Sequence, residues 1–452
     1  MRILVVGDGK VGHTIATQLA LEKHDVVVID RDEEVLHRTE DELDVLVIHG
    51  NGANASTLTE AGADHSDIVI AATASDEVNM LCCLMAKHMG TRFAIARIRD
   101  PEYNESLTVL KQGMGIDLVV NPERATALEI SRLLRFPFAS NVESFAKGRV
   151  EMAAFRAGKG DPVMGIPLHQ LSRGDLPRVL YAIVERGQEA IIPHGDFVIQ
   201  EGDRVHVAGD LVNITAFFKK MGRDENKIRS VMILGGGKIS YYLAKILAPM
   251  GMKVTIVEIN EEKAASLSEA LPECNILCGD GTDRQLLEEE GIEETDAFIG
   301  LSNRDEENLM TGLFAVKKGV RKVIVKNNRI AYEEVITSLG LDSMVSPKAI
   351  TCANLLRYVR GRLNVSGAKV ERLYRLSDGK TEALEFIARA GDSYIGIPLK
   401  NLHVLPDTLI AVIVRGSKVI VPFGNDCMEA GDRVVVITGK SGIGDLNEVI
   451  RK

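Results

Sequence analysis

At 452 residues the chain has room for several domains, and its 45% hydrophobic content supports packed cores. Trp is absent and aromatic residues make up only 4%, so Val, Ile, Leu, Ala and Met must fill those cores. A formal charge of −10 argues against nucleic acid as a main partner, and no apolar run approaches the roughly 18–20 residues needed to span a bilayer.

The chain opens MRILVVGDGKVG, which becomes a strand too quickly for a secretory signal; a soluble cytoplasmic protein, able to dock on a membrane protein, is expected. Ile3 to Val6 read as a short apolar strand running into Gly7-Asp8-Gly9-Lys10-Val11-Gly12 and an apolar-periodic helix through Leu21. A second strand, Val26 to Ile29, ends at Asp30. The glycines permit a tight turn, close approach of the backbone to a pyrophosphate and close helix–strand packing, and the helix amino end presents free N–H groups and a favourable dipole. Asp30 stands where a carboxylate accepts from both ribose hydroxyls and repels a 2′-phosphate. Glycine spacing alone is weak; with both strands, the helix and the acid it predicts adenine-nucleotide binding.

Further strands are expected at Val45–Ile48, before HGNG, and at Asp67–Ala72, before a helix capped by Ser75 or Asp76. Thr91–Ile98 and Gly115–Asn121 add two more. This alternation indicates a mostly parallel sheet covered by helices. An apolar-periodic helix over 125–136 closes the first nucleotide domain near residue 135, and its several apolar flanks would also let it swap onto a neighbour. Residues 140–222 change character, with short β runs such as Val179–Val184 and Arg204–Ala208 between Arg-Gly, His-Gly and Glu-Gly-Asp turns, and a helix near Leu211–Phe218.

At VMILGGGKIS the fold begins again. Gly7 maps onto Gly235, Gly9 onto Gly237 and Asp30 onto Glu258; one residue later in register, Gly50 and Gly52 map onto Gly279 and Gly281, and Asp76 and Asn79 onto Asp305 and Asn308. Gly165-Ile166-Pro167-Leu168 recurs as Gly396-Ile397-Pro398-Leu399, and Gly202-Asp203 as Gly431-Asp432. The repeat unit is therefore the whole half-chain. The expected fold class is α/β: two Rossmann-like domains at 1–135 and 229–350, each followed by a small α+β domain, at 140–222 and 365–452. Ser240 replaces Gly12 in the second turn, which must accommodate a hydroxymethyl group there. Cys82 and Cys83 read as packing residues, and Cys274-x3-Cys278 lacks further ligands for a zinc site.

GDGKVG, VVVID, HGNG, AATASDEVNM, the duplicated GIPL and the Gly-Asp turns together resemble the family of domains that regulate conductance of potassium, the RCK or KTN domains, over nearly the entire chain. The resemblance implies a ligand sensor, not an enzyme: a ring of such domains beneath a multi-span potassium transporter or channel, at the inner face of the membrane. Four chains would supply eight domains, so a homo-tetramer is implied. The regulatory ligands implied are NAD(H), ATP or ADP. Carried onto this chain, Gly7, Gly9 and Gly12, with Asp8, Lys10 and Val11 between them, form the phosphate turn, and Asp30 the ribose clamp. Asn51 and Asp280 lie near the adenosine, Thr73 beside the ligand, and Arg97 and Lys326 near phosphates. Gly235, Gly237 and Glu258 repeat the turn and clamp.

Outside that family, an NAD-dependent oxidoreductase or a non-sensing scaffold would also use such a fold. Hydride transfer needs a proton-transferring group on a substrate domain. The candidates His169, His194 and His206 do not survive comparison of the halves, where Phe423 stands for His194. ATP hydrolysis lacks its G-x4-G-K-[ST] loop, since Val11 follows Lys10.

Overall fold

A computed structural model describes residues 1–105, 111, 113–137, 139, 141–146, 148–171, 176–187, 189–223, 227–328, 339, 341, 343–363, 370–376, 381–440 and 443–451. The boundary residues 140 and 365 and the terminal 452 lie outside them.

Six parallel strands, β1 (Arg2–Val6), β2 (Asp25–Asp30), β3 (Leu46–His49), β4 (Ile68–Ala71), β5 (Phe93–Arg97) and β6 (Leu118–Val120), form the first sheet in the order β3-β2-β1-β4-β5-β6. The order reverses between β1 and β4, and that reversal opens a crevice at the strands' carboxyl ends, the usual place for a ligand in such sheets. Helix α1 (Lys10–Leu21) follows β1, and α2 (Glu33–Glu42) follows β2, capped by Asp32, whose side chain accepts from the N–H groups of Glu34 and Val35. Ser75 caps the next long helix, Asp76–Met89, through the N–H of Val78.

Strands β7 (Asn141–Phe145), β8 (Val150–Arg156), β9 (Leu180–Arg186), β10 (Glu189–Ile191) and β11 (Arg204–Gly209) make a five-stranded antiparallel sheet, and the helix Leu211–Lys220 ends this small domain. The second half repeats the plan. Strands β12 (Ser230–Leu234), β13 (Lys253–Glu258), β14 (Asn275–Cys278), β15 (Ala297–Gly300), β16 (Lys322–Lys326) and β17 (Met344–Val345) are ordered β14-β13-β12-β15-β16-β17. A second five-stranded antiparallel sheet lies between Val370 and Thr438.

The halves are interlocked by two exchanged helices. Pro122–Arg135 leaves the first sheet and buries Ile130, Leu133 and Leu134 in one core with Ile233, Leu243 and Leu247 of the second half. Pro347–Leu363 makes the return journey, burying Cys352, Leu355, Leu356 and Val359 against Ile3, Val5, Ile15 and Leu19. Arg360 forks onto the carboxylate of Glu22 at this second crossing, with Nε 3.1 Å from Oε2. At the first, the Asn121 amide donates to the Tyr242 hydroxyl at 3.0 Å, which donates to the Arg99 carbonyl at 3.0 Å. The small sheets also meet: Phe145, Met152 and Ile183 share a buried cluster with Val412, Val414 and Val435.

Candidate functional site

The first turn explains its glycines one by one. Gly7 has φ +94°, and a Cβ there would stand 2.7 Å from the Thr73 nitrogen. A Cβ on Gly12 would fall 1.7 Å from the Gly7 carbonyl oxygen, so helix and strand meet backbone to backbone. Gly9 is different. Its φ of −68° suits any residue, and a Cβ there would meet nothing within 4 Å. Gly9 is the N-cap of α1 and has no side chain to cap it, so the helix's first N–H groups face that open space. Gly237 repeats every particular, as N-cap of the helix Lys238–Leu247 with open space at its Cβ. Glycine at these two positions leaves a cradle that a side chain would fill, beside unpaired N–H donors and a positive helix end. Such a cradle fits the phosphates of a nucleotide.

The clamp carboxylates hold the turns. Asp30 accepts from the Asp8 N–H at 2.5 Å and from the Asp32 N–H at 3.0 Å. Glu258 accepts from the Gly236 N–H at 2.7 Å and from the Asn260 N–H at 2.9 Å. The extra methylene of Glu258 thus changes the path but not the partners. Each carboxylate oxygen keeps a further lone pair for a ribose hydroxyl. Ser240 fits where Gly12 stands in the first half by donating to the Gly235 carbonyl at 2.5 Å.

Around the rim, Asn51 accepts from the Ala53 N–H at 3.1 Å. Asp280 accepts from the Thr282 N–H and hydroxyl at 2.9 and 2.7 Å, and these bonds hold its carboxyl below the usual range. The two residues shape the loops after β3 and β14 alike. The hydroxyl of Thr73 donates to Oδ1 of Asn79 at 2.7 Å, and the Asn79 amide donates to the Arg97 carbonyl at 2.9 Å. In the second half Asn308 accepts from the Ser302 backbone N–H at 2.8 Å and donates to the Lys326 carbonyl at 3.1 Å. These fully buried amides clip neighbouring strand ends together beside each crevice. The sequence comparison marks both asparagines as repeated, and a repeated amide just past a strand end is the signal for such a clip; their role becomes visible only with the strands side by side.

The two strand-end cations behave differently. Arg97 lies 3.9 Å from Glu123, and its Nε and the Glu123 Oε2 are buried without hydrogen-bond partners among the described residues. Burial pulls the Arg97 guanidinium below its ordinary pKa, against the opposing pull of Glu123. A phosphate would complete this weakly paired cation. Lys326 is buried and folds back onto the Leu301 carbonyl at 3.2 Å and Asn303 at 3.4 Å, its pKa lowered first by burial. Lys10 and Val11 sit on the first turn of α1, Lys10 exposed and Val11 packed on the first sheet's core. The side chain of Asp8 turns inward, away from solvent.

Of the candidate catalytic histidines, His206 is buried in the small sheet 2.8 Å from Glu185, and His169 meets the Gly195 carbonyl at 3.0 Å. Among the described residues no cluster of His, Cys, Asp and Glu is arranged to hold a metal ion, and no helix is long and apolar enough to cross a membrane.

Two family patterns cover both halves: the TrkA-N domain matches residues 3–122 and 231–347, and the TrkA-C domain residues 152–222 and 383–451. The chain belongs to the TrkA family. The Trk system potassium uptake protein TrkA of Halomonas elongata is 34% identical over 460 residues, covering 100% of this chain and 99% of its own. TrkA of Vibrio alginolyticus is 33% identical with the same coverages, and TrkA homolog 1 of Methanosarcina mazei 32% identical over the full length of both. Among solved structures, the GsuK channel bound to NAD superposes with a TM-score of 0.63 at 18% identity, over 97% of this chain and 76% of that one. The GsuK RCK domain does so with the same score over 96% and 92%. At that identity the likeness is one of fold, and it extends over nearly the whole of this chain.

Proposed function

We propose that this TrkA-family chain is the nucleotide-sensing regulatory subunit of a potassium-uptake system. It acts at the cytoplasmic face of the membrane on a multi-span transporter or channel. The observation that carries the reading is the open cradle at Gly9 and Gly237, each at an uncapped helix start beside a clamp carboxylate. Phosphates would rest on the N–H groups that begin the two helices, the ribose on Asp30 or Glu258, and the adenosine near Asn51 or Asp280. The relatives named for potassium uptake, and the GsuK channel bound to NAD, support NAD(H) or an adenine nucleotide as ligand.

Such a subunit needs no chemistry. A ligand that binds one arrangement of the domains about tenfold more tightly shifts the balance by about 1.4 kcal/mol per site, and several sites in a ring of four chains would add. Two of the three candidate histidines, His169 and His206, are engaged within the small domain, which supports a sensor over a hydride-transferring enzyme.

The test uses Gly9→Val. The substitution enters open space, so the fold should persist with a loss of no more than about 1 kcal/mol from the altered N-cap. Nucleotide binding at the first site should fall more than tenfold. In vesicles containing the copurified transporter, the nucleotide response of potassium flux should shrink. A variant that titrates NADH and ATP like the parent would overturn the site, and flux indifferent to nucleotide in the parent would overturn the regulatory role.

A further inference from the structure

The two phosphate turns differ in a way that sensing alone does not require. In the first, the residue between the leading glycines is Asp8, whose side chain is only 3% exposed. One of its oxygens accepts from the hydroxyl of the fully buried Thr39, and the other lies 3.5 Å from Nδ1 of His13. His13 in turn stands 3.0 Å from Thr39 and 3.2 Å from Glu42. Asp30 binds the Asp8 backbone from the other side. The titratable and charged groups around Asp8 are therefore His13 and the exposed Lys10 on α1, Asp30 at the end of β2 and Glu42 on α2. Burial raises the Asp8 carboxyl above its ordinary pKa, Thr39 and His13 draw it back, and Asp30 pushes it up further.

The second half places Gly236, Tyr241, Leu267 and Ala270 at the four corresponding positions. Leu267 fills the space: a Cβ on Gly236 would stand 2.5 Å from its Cδ1. An acidic pocket under one turn is an apolar plug under the other.

We infer that Asp8 is a specificity-determining residue of the first site, selecting a dinucleotide diphosphate over the more highly charged nucleoside triphosphate, while the second turn has no such filter. The inference rests on the nucleotide-sensing reading and refines it. The start of α1 carries about half a positive charge. A carboxylate one residue before the N-cap offsets that charge for any phosphate bound there. With an effective dielectric of about 20 and a separation of about 10 Å, each further ligand charge changes affinity on the order of tenfold. The same repulsion makes proton uptake at Asp8 accompany binding, so first-site affinity rises as pH falls, most steeply for ATP.

The experiment is calorimetric titration of NADH, ADP and ATP into the full chain carrying Gly237→Val, with and without Asp8→Asn; the amide keeps an acceptor for Thr39. With Asp8 intact, ATP should bind about tenfold more weakly than ADP. In Asp8→Asn the difference should shrink to within about threefold, NADH should change least and the pH dependence should flatten. An unchanged ATP-to-ADP ratio would overturn the inference and leave the nucleotide site standing. If none of the three binds the parent chain, the reading and the inference fall together. Should either variant not fold, the parent chain decides through titrations in buffers of different ionisation enthalpy. Proton uptake in one of the two binding steps supports the filter; none in either overturns it.

Discussion

Asp30 accepts two backbone N–H groups and would accept a ribose as well, so its removal acts on fold and ligand together. Asp30→Ala should weaken nucleotide binding at the first site at least tenfold and lower stability by about 1–2 kcal/mol, the cost of two N–H groups losing an acceptor. Binding curves for NADH and a urea melt read the two effects separately, and an unaltered binding curve would remove Asp30 from the site. The turns, the strand ends and the acids at those ends were legible in the sequence because each is local: a glycine pattern, an acid closing a strand, a cap. The inward turn of Asp8 was not, since it depends on Thr39 in another helix, 31 residues away. Nor was the fold-back of Lys326, which answers to the Leu301 carbonyl just past the end of the neighbouring strand β15. Charge and position along the chain do not say whether a cation reaches outward or inward.

At the level of single elements, the exchanged helix Pro122–Arg135 and strand β8 invite measurement. Leu134 is 1% exposed in the core this helix shares with the second half, so Leu134→Ala should cost about 2–5 kcal/mol. Thermal unfolding should show that loss in the second half as well as the first; a melt disturbed in the first half alone would deny the shared core. The apolar periodicity of 125–136 predicted the helix, but a period gives a face and not the surface that covers it. Strand β8 carries Glu151, 6% exposed, whose carboxyl is pushed up to about 7 by burial, with Arg132 and Arg135 opposing. The ordinary value is 4.5 and the folded value is higher, so this group favours the fold most below pH 4.5 and loses that contribution as pH rises through 7. The parent should therefore lose up to about 3 kcal/mol from this residue between pH 4.5 and 8. Glu151→Gln should show a flatter stability curve and a higher Tm at pH 8; parallel curves would contradict it.

The whole molecule is a pair of lobes that hold one another by exchanged helices. Cut after residue 222, the first half would offer Ile130, Leu133 and Leu134 to solvent and leave Ile3, Ile15 and Leu19 uncovered. That fragment should associate with itself or precipitate, whereas coexpression with residues 229–452 should restore a 1:1 complex in sedimentation. A soluble monomeric first half would show that the exchange is dispensable. The duplication was plain in the sequence, and the apolar flanks of 125–136 allowed a swap; the surface that receives each helix was not, because the partners lie more than 100 residues apart. The covalent join also carries an evolutionary consequence. A dimer assembled from two copies of one short gene receives every substitution in both lobes, so its two sites must remain twins. Here a carboxylate at position 8 and a glycine at 236 stand in the same niche of opposite lobes. Fusion has given each lobe its own heredity, and one can be retuned while the other keeps its setting.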